Sequence, residues 1–504
     1  MTVPSWPFLV FVLLGAGLFN AVSTRVFDAV FVRRWRNAVW LVLNLAFVWS
    51  FSHALTPLLP LAGFLALGYL ALGCLAPGRL ALGHRGTDAV RTGRRWAAPA
   101  AILLVLAVFV WLKRYSFVPA GLMLPPGAML VGLSYVFFRV MHLVIDAGQG
   151  ETERIGIVRY LNFTLNFPAF ISGPIQRRED YEANGGLPLT VPDIGLAVWR
   201  MVLGAFKVLI LSDVLHAWQV DTLAALAPRL ASGLAPGLAP GVPPGQLVLT
   251  GALAIVLYPL FLYANFSGYT DFVIGAARLF RLQLPENFDR PFSATNFIDF
   301  WSRWHISLSQ WLRSYVFNPL LVGWMRRYRS ARTKQYPAVA AFFITFFLVG
   351  AWHGQTSEFL FFGLLQGGGV AGNRLYQVAM TRRLTPAGYG ALCANALYRA
   401  VSRGLTFTWF AFTLLWFWAR WGQIGALAET LGVAGSVAAA LATVCGASVI
   451  LAVPDLFGAA SSTITTVLRS RYTRTAFASA MVLAMTIAAL VLNLASPEIV
   501  YKQF

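Results

Sequence analysis

Six histidines, at positions 53, 84, 142, 216, 305 and 353, are the side chains of this chain best suited to moving a proton near neutral pH. Two of them stand out by their surroundings. His353 closes the apolar run 342–352 in Gly350-Ala351-Trp352-His353-Gly354, and an ionisable group at the end of such a run marks a candidate functional site. The flanking glycines remove bulk on either side of the ring, so that a substrate or another backbone can approach. A general base must be neutral, and desolvation favours the uncharged imidazole. His305 lies in Asp299-Phe-Trp-Ser-Arg-Trp-His-Ile-Ser-Leu-Ser-Gln-Trp-Leu-Arg313. Read as a helix, positions 301, 304, 308 and 311 form a Trp/Leu stripe opposite polar positions 299, 303, 307, 310 and 313. This predicts a continuous interfacial amphipathic helix with His305 beside the aromatic stripe. His142, three residues after Arg139, is a weaker candidate for a cavity wall. His53 and His216 read as lone residues near span ends, and His84 as a solvated residue of a basic loop.

Other chemistries find little support. The chain has no His/Cys cluster at zinc spacing, no Gly-x-x-x-x-Gly-Lys-Ser/Thr loop and no Gly-x-Ser-x-Gly elbow. No metal site is predicted. Gly367-Gly368-Gly369 reads as close helix packing rather than a phosphate cradle. Cys74, Cys393 and Cys445 each lie in apolar sequence and read as packing, without a disulfide framework.

The elements that must position these residues are set by composition. Of 504 residues, 58% are hydrophobic and only 12% charged, against roughly 25% charged in a soluble protein. That is room for about eleven spans of about 20 residues each, which makes this an all-α polytopic membrane protein. Spans are expected within 1–24, 37–78 (two, split at Thr56-Pro57), 96–112, 118–138, 196–222, 246–264, 336–352, 358–371, 404–419, 430–453 and 475–496. Lys207 and Asp213, inside 196–222, must face protein or water. The excess of 39 Lys and Arg over 19 Asp and Glu, a net charge of +20, is the mark of cytoplasmic loops rather than of nucleic-acid binding. Arg33, Arg34 and Arg36 follow the uncharged first segment and place the N-terminus outside; the basic stretch 79–95 returns the chain to the inside.

Two stretches, 160–182 and 265–316, are too polar for lipid-facing helices and too aromatic for free loops. Pro168, Gly173 and Pro174 interrupt the first and suggest a re-entrant element, because irregular backbone at membrane depth must be buried in protein or line a wet cavity. Residues 229–245 read as an external linker. No inverted repeat of the transporter kind is visible.

The stretch Tyr263-Ala-Asn-Phe-Ser-Gly-Tyr-Thr-Asp271, then Pro285-Glu-Asn-Phe-Asp-Arg-Pro-Phe292, the motif around His305 and the motif around His353 resemble, in that order, the membrane-bound O-acyltransferase family. The branch they resemble holds alginate O-acetyltransferase membrane subunits and teichoic-acid D-alanyl transfer proteins; Ile171-Ser-Gly-Pro-Ile-Gln-Arg177 is similar to its Ser/Ala-Gly-Pro-Ile element. The resemblance covers 130–370, a catalytic core within a single membrane domain, with 1–129 and 371–504 as flanking spans. It implies two opposed funnels meeting at a thin partition. It also implies His353 as general base or acyl-transfer centre, the more consistently required of the two, with His305 orienting the donor. Asn287, Trp301, Arg303, Trp352 and Ser172 fall on motif positions expected to shape the tunnel. Two departures from the alginate type are Gln366 in Leu365-Gln366-Gly367, where a histidine is usual, and the missing Gly-Gly-Asn turn after the first histidine motif.

The resemblance implies transfer of a short acyl group, acetyl by preference, from a cytoplasmic thioester to hydroxyls of an exported polysaccharide, directly or through a partner on the far side. The donor is expected to be acyl-CoA or an acyl carrier protein, used as substrate with no permanently bound cofactor. The basic stretches 278–334 and 374–403 suit either donor. The expected partners are that donor, a periplasmic or extracellular acyltransferase or polysaccharide-synthesis protein, and membrane lipid. The expected location is a bacterial inner membrane. D-alanyl transfer to a teichoic-acid-like polymer and, outside enzymes, a transporter or flippase are the alternatives.

Overall fold

The computed structural model describes residues 1–76, 88–123, 131–151, 154–183, 188–232, 243–328, 336–456 and 470–492. His84 and most of the loop 79–95 lie outside them, as does most of the linker 229–245. The described residues fall into two compact units. The first comprises Met1–Ala205 and Tyr269–Pro285, and the second Phe206–Gly268 and the chain from Glu286 onward. Both are built of helices, and the sole ladder contact among the described residues is an isolated antiparallel bridge between Phe288 and Trp304.

The first unit holds α1 (Trp6–Asn20), α2 (Ala29–Trp49), α3 (Leu59–Leu75), α4 (Asp88–Leu112), α5 (Leu133–Gln149), α6 (Ile157–Leu165), α7 (Arg178–Ala183) and α8 (Val191–Phe206, whose last residue passes to the second unit). Asp28 starts α2 by accepting the Val30 and Phe31 amides. The stretch expected to be irregular is so. After α6 the chain makes one 3-10 turn, Phe167–Ala169, and continues without helix to Gln176, buried throughout. Its backbone acceptors are met by a buried arginine: Arg139 donates to Thr164 O at 2.8 Å and Ala169 O at 2.5 Å. Asn44 Oδ1 accepts the Phe167 amide at 2.7 Å. These bonds replace the helix ladder that Pro168 cannot join. Beneath them His142 Nε2 accepts the Arg178 amide at 3.3 Å, and its ring meets Phe163 edge-on, so His142 is packing rather than a cavity wall.

The second unit holds α9 (Ser212–Ser232), the first part of α10 (Pro244–Leu279), α11 (Phe297–Arg303), α12 (Ile306–Leu312), α13 (Asn318–Arg327), α14 (Tyr336–His353), α15 (Ser357–Ala394), α16 (Ala396–Thr413), α17 (Leu415–Trp418), α18 (Trp421–Leu456) and α19 (Arg471–Leu492). A π-helical turn, Lys207–Leu211, joins α8 to α9. α15 bends where Thr385 takes φ 61° ahead of Pro386, and α18 bends at Gly432, φ 64°. His216 stacks against Phe261 at 4.9 Å.

This is an integral membrane protein. Among the described residues six helical stretches are long and apolar enough to cross a bilayer: Thr56–Leu75, Val191–Leu226, Gly245–Leu279, Tyr336–His353, Trp421–Val453 and Arg471–Leu490. Trp6–Asn20 and Trp96–Leu112 are shorter apolar helices. These six fall on expected spans, and the full count of about eleven is not confirmed by length and hydropathy alone. α2 carries three arginines in its first half, α5 starts only at Leu133, and α15 and α16 are too polar to qualify. The expected span 196–222, which carries Lys207 and Asp213, lies inside the apolar helical stretch Val191–Leu226. Cys74 and Cys445 are exposed, not packed as expected; a thiol is small and apolar enough to face lipid.

Candidate functional site

Asn287 organises the first histidine motif. The segment after α10 pairs briefly with the end of α11: Asp289 N–H donates to Arg303 O, and Ile306 N–H donates to Asn287 O, both at 3.0 Å. The Asn287 side chain, fully buried, accepts with one oxygen from Ser307 N–H at 3.1 Å and from the Ser307 hydroxyl at 2.6 Å. The helix predicted to run unbroken through 299–313 is consequently two. It breaks at His305, which takes the left-handed conformation (φ 46°, ψ 52°) and gives α12 no side-chain cap of its own. Asn287 caps α12 from outside by taking the amide of its second residue, as an N-cap side chain would.

Arg303 fixes the same junction from the outside. Its guanidinium bonds Asp299 at 2.8 Å and lies 3.6 Å from Asp289, with the side chain 28% exposed. Trp301 points inward: its Nε1 donates to Gln366 Oε1 at 3.2 Å, and Gln366 Nε2 donates to Thr413 Oγ1 at 2.8 Å. Fully buried Gln366 thus ties α11, α15 and α16 together. The sequence offered a signal for it: an amide alone in the apolar run 359–365 and beyond needs buried partners.

Both histidines are buried, His305 1% and His353 3% exposed, in the same unit. The indole of Trp352 neighbours both, its ring 6.5 Å from His305 and 4.6 Å from His353, centroid to centroid. Phe266 meets His305 edge-on at 4.9 Å, and Phe417 meets His353 at 5.0 Å. Burial pushes the His305 imidazole from its ordinary 6.5 down to about 3, so at neutral pH it is an uncharged donor and acceptor.

A neighbouring helix backbone at Gly350 and an aromatic ring at Gly354, not an open space, take the room left by the glycines around His353. A Cβ on Gly350 would run into the Gly363 backbone and Phe359 O, and one on Gly354 into the Phe359 ring. Gly363 and Gly367 meet the carbonyls of Phe347 and Phe343 in the same way. α14 and α15 therefore touch backbone to backbone, and the glycine run at 367–369 serves packing as expected, with Gly368 facing open space.

Asn287, Trp301, Arg303, His305, Trp352 and His353 all belong to the second unit. Ser172 belongs to the first, fully buried, with its amide donating to the Tyr269 hydroxyl at 3.3 Å. The arrangement offers two buried imidazoles joined by one aromatic wall, suited to proton transfer where water is scarce.

Residues 239–421 match the model of the membrane-bound O-acyltransferase family, MBOAT. The chain is 28% identical over 247 residues to a teichoic acid D-alanyltransferase of Bacillus subtilis, covering 48% of this chain and 58% of that protein. It is 30% identical over 273 residues to a probable alginate O-acetylase, AlgI, of Pseudomonas aeruginosa, covering 54% and 46%. A peptidoglycan O-acetyltransferase of Helicobacter pylori is 29% identical over 224 residues, covering 44% and 38%. The chain spans about half the length of the curated relatives it matches.

Proposed function

Taking as premise that the chain carries a membrane-bound O-acyltransferase domain over residues 239–421, we propose that it moves a short acyl group, acetyl by preference, from a cytoplasmic thioester to hydroxyls of a cell-envelope polysaccharide. The observation that carries this reading is the pair of buried imidazoles that both neighbour the Trp352 ring within that domain. In the proposed reaction His353 accepts the proton of the incoming hydroxyl as its oxygen attacks the thioester carbonyl. The C–S bond then breaks, the thiolate takes the proton, and an ester and a free thiol remain. General-base help of this kind contributes about 10²–10⁴-fold, and the apolar walls keep out the water that would hydrolyse the thioester. His305 orients the donor, while Asn287, Trp301, Arg303 and Trp352 shape or support its path. No cofactor stays bound; acyl-CoA or an acyl carrier protein is the donor, and an extracytoplasmic acyltransferase or polysaccharide-synthesis protein is the partner. The protein sits in a bacterial inner membrane with its N-terminus outside.

Three of the matched relatives supply the polymer class by their names: teichoic acid, alginate and peptidoglycan. The D-alanyltransferase match also supports a second reading, in which the cargo is D-alanine from a carrier protein. Purified protein in liposomes, offered labelled acetyl-CoA or labelled D-alanyl carrier protein on one side and polysaccharide on the other, separates the two. We expect labelled ester from acetyl-CoA and a fall of at least 100-fold in His353→Ala. Wild-type rates in that variant refute the role of His353. Passage of substrate without covalent change refutes the enzymatic reading.

A further inference from the structure

The first unit contains a cavity of about 450 Å³ that has no part in the acyl-transfer proposal. Arg33 and Arg36 from α2, Arg159 from α6 and Arg178 from α7 line it, with a single carboxylate, Glu182, among the lining residues. Glu182 is committed to Arg178 at 3.1 Å. Arg33, Arg36 and Arg159 make no ion pair among the described residues. Arg36 lies over the Phe19 ring at 5.6 Å, has a buried Nε with no hydrogen-bond acceptor, and feels the like charge of Arg281. The inner wall is aromatic, formed by Phe19, Trp40, Phe163 and Phe280. Three guanidiniums without a carboxylate partner thus line one hollow, Arg36 half-buried and Arg33 and Arg159 exposed, and a multivalent anion can bridge them by bidentate bonding. The aromatic wall asks that the anion carry an apolar body.

The position of the mouth narrows the source. Arg33 stands in the first turns of α2, close in sequence to exposed Val26, Phe27 and Phe31. Exposed apolar side chains next to arginines suit a membrane–water boundary, and basic pockets between helices at that level hold lipid phosphates.

We propose that this cavity binds a phosphate ester with an apolar body, and that an anionic phospholipid headgroup of the surrounding leaflet is its occupant. Arg33, Arg36 and Arg159 hold the phosphate, and the first methylenes of the lipid's acyl chains lie against Phe19 and Trp40. The test is retention of short-chain phosphatidylglycerol by the purified full-length protein, titrated in native mass spectrometry against short-chain phosphatidylcholine. Phosphatidylglycerol should be retained in preference. Each of Arg33→Gln, Arg36→Gln and Arg159→Gln should weaken it about fivefold, and Arg34→Gln, on the same helix but outside the cavity, should leave it unchanged. Equal retention by the triple variant, or equal retention of the two lipids, overturns the site. Coenzyme A, added as a phosphate ester from the aqueous side, should not displace the lipid; displacement at lower concentration than phosphatidylglycerol itself requires would keep the phosphate site but overturn the lipid as its occupant.

Discussion

Replacing Asn287 by alanine removes one side-chain oxygen that serves two donors of Ser307. The bond from Ile306 N–H to the Asn287 carbonyl survives, because it is made by backbone. What is lost is the outside cap of α12, leaving a buried amide at a helix N-terminus without its acceptor. An orphaned buried donor costs about 1–3 kcal/mol, and lost caps fall in an overlapping range of about 0.5–2 kcal/mol. We therefore expect Asn287→Ala to lower the free energy of unfolding in mixed micelles by about 1–3 kcal/mol. A double-mutant cycle with Ser307→Ala should return a coupling of about 0.5–1.5 kcal/mol, the hydroxyl's share. Because the cap also fixes the left-handed turn at His305, turnover should fall with little change in the apparent affinity for donor. An unchanged unfolding free energy, or strictly additive Asn287 and Ser307 variants, refutes the capping argument.

Gly350→Ala should destabilise by about 1–3 kcal/mol or prevent folding, since the new methyl meets the α15 backbone, whereas Gly368→Ala should be neutral; thermal unfolding of the pair checks both. Gln366→Leu strands the Trp301 indole N–H and should cost about 1–3 kcal/mol in the same assay. His305 titrates near 6.5 unfolded and near 3 folded, so between those values the unfolded chain binds the extra proton. Its contribution is fully present above about pH 6.5 and falls by up to about 1.4 kcal/mol per pH unit as the pH drops toward 3. His305→Gln should flatten the stability–pH curve by that slope, and superimposable curves would contradict it.

What the sequence made legible was chemistry at particular residues and the character of particular stretches. His353 at the end of an apolar run, and the irregular buried backbone around Pro168, follow from the intolerance of the bilayer interior for unpaired polar groups. The break at His305 did not show. The Trp/Leu spacing through 301–311 reads as one helix, and what interrupts it is a contact from Asn287 and Asp289, a tertiary effect that no local period contains. The glycines at 350 and 354 were read correctly as a relief of bulk, but only the structure names the neighbour as α15 and Phe359. Gln366 was visible as a departure from the histidine of similar chains, and its two partners, Trp301 and Thr413, lie 65 and 47 residues away. Composition alone does not mark a span where a helix mixes arginine with apolar residues, as α2 does.

The borrowed cap also has a consequence for the order in which the protein is built. α12 has seven residues, well below the roughly 12–15 at which an isolated helix is even marginal in water, and it starts at a residue whose backbone disfavours helix nucleation. It cannot form ahead of its neighbours. Asn287 leaves the ribosome before Ser307, so the acceptor is already waiting when the helix emerges, and α12 arises by docking onto a segment made earlier. The turn that holds His305 is thus a product of assembly, and a nascent chain cut short of α12 carries the cap with nothing to close.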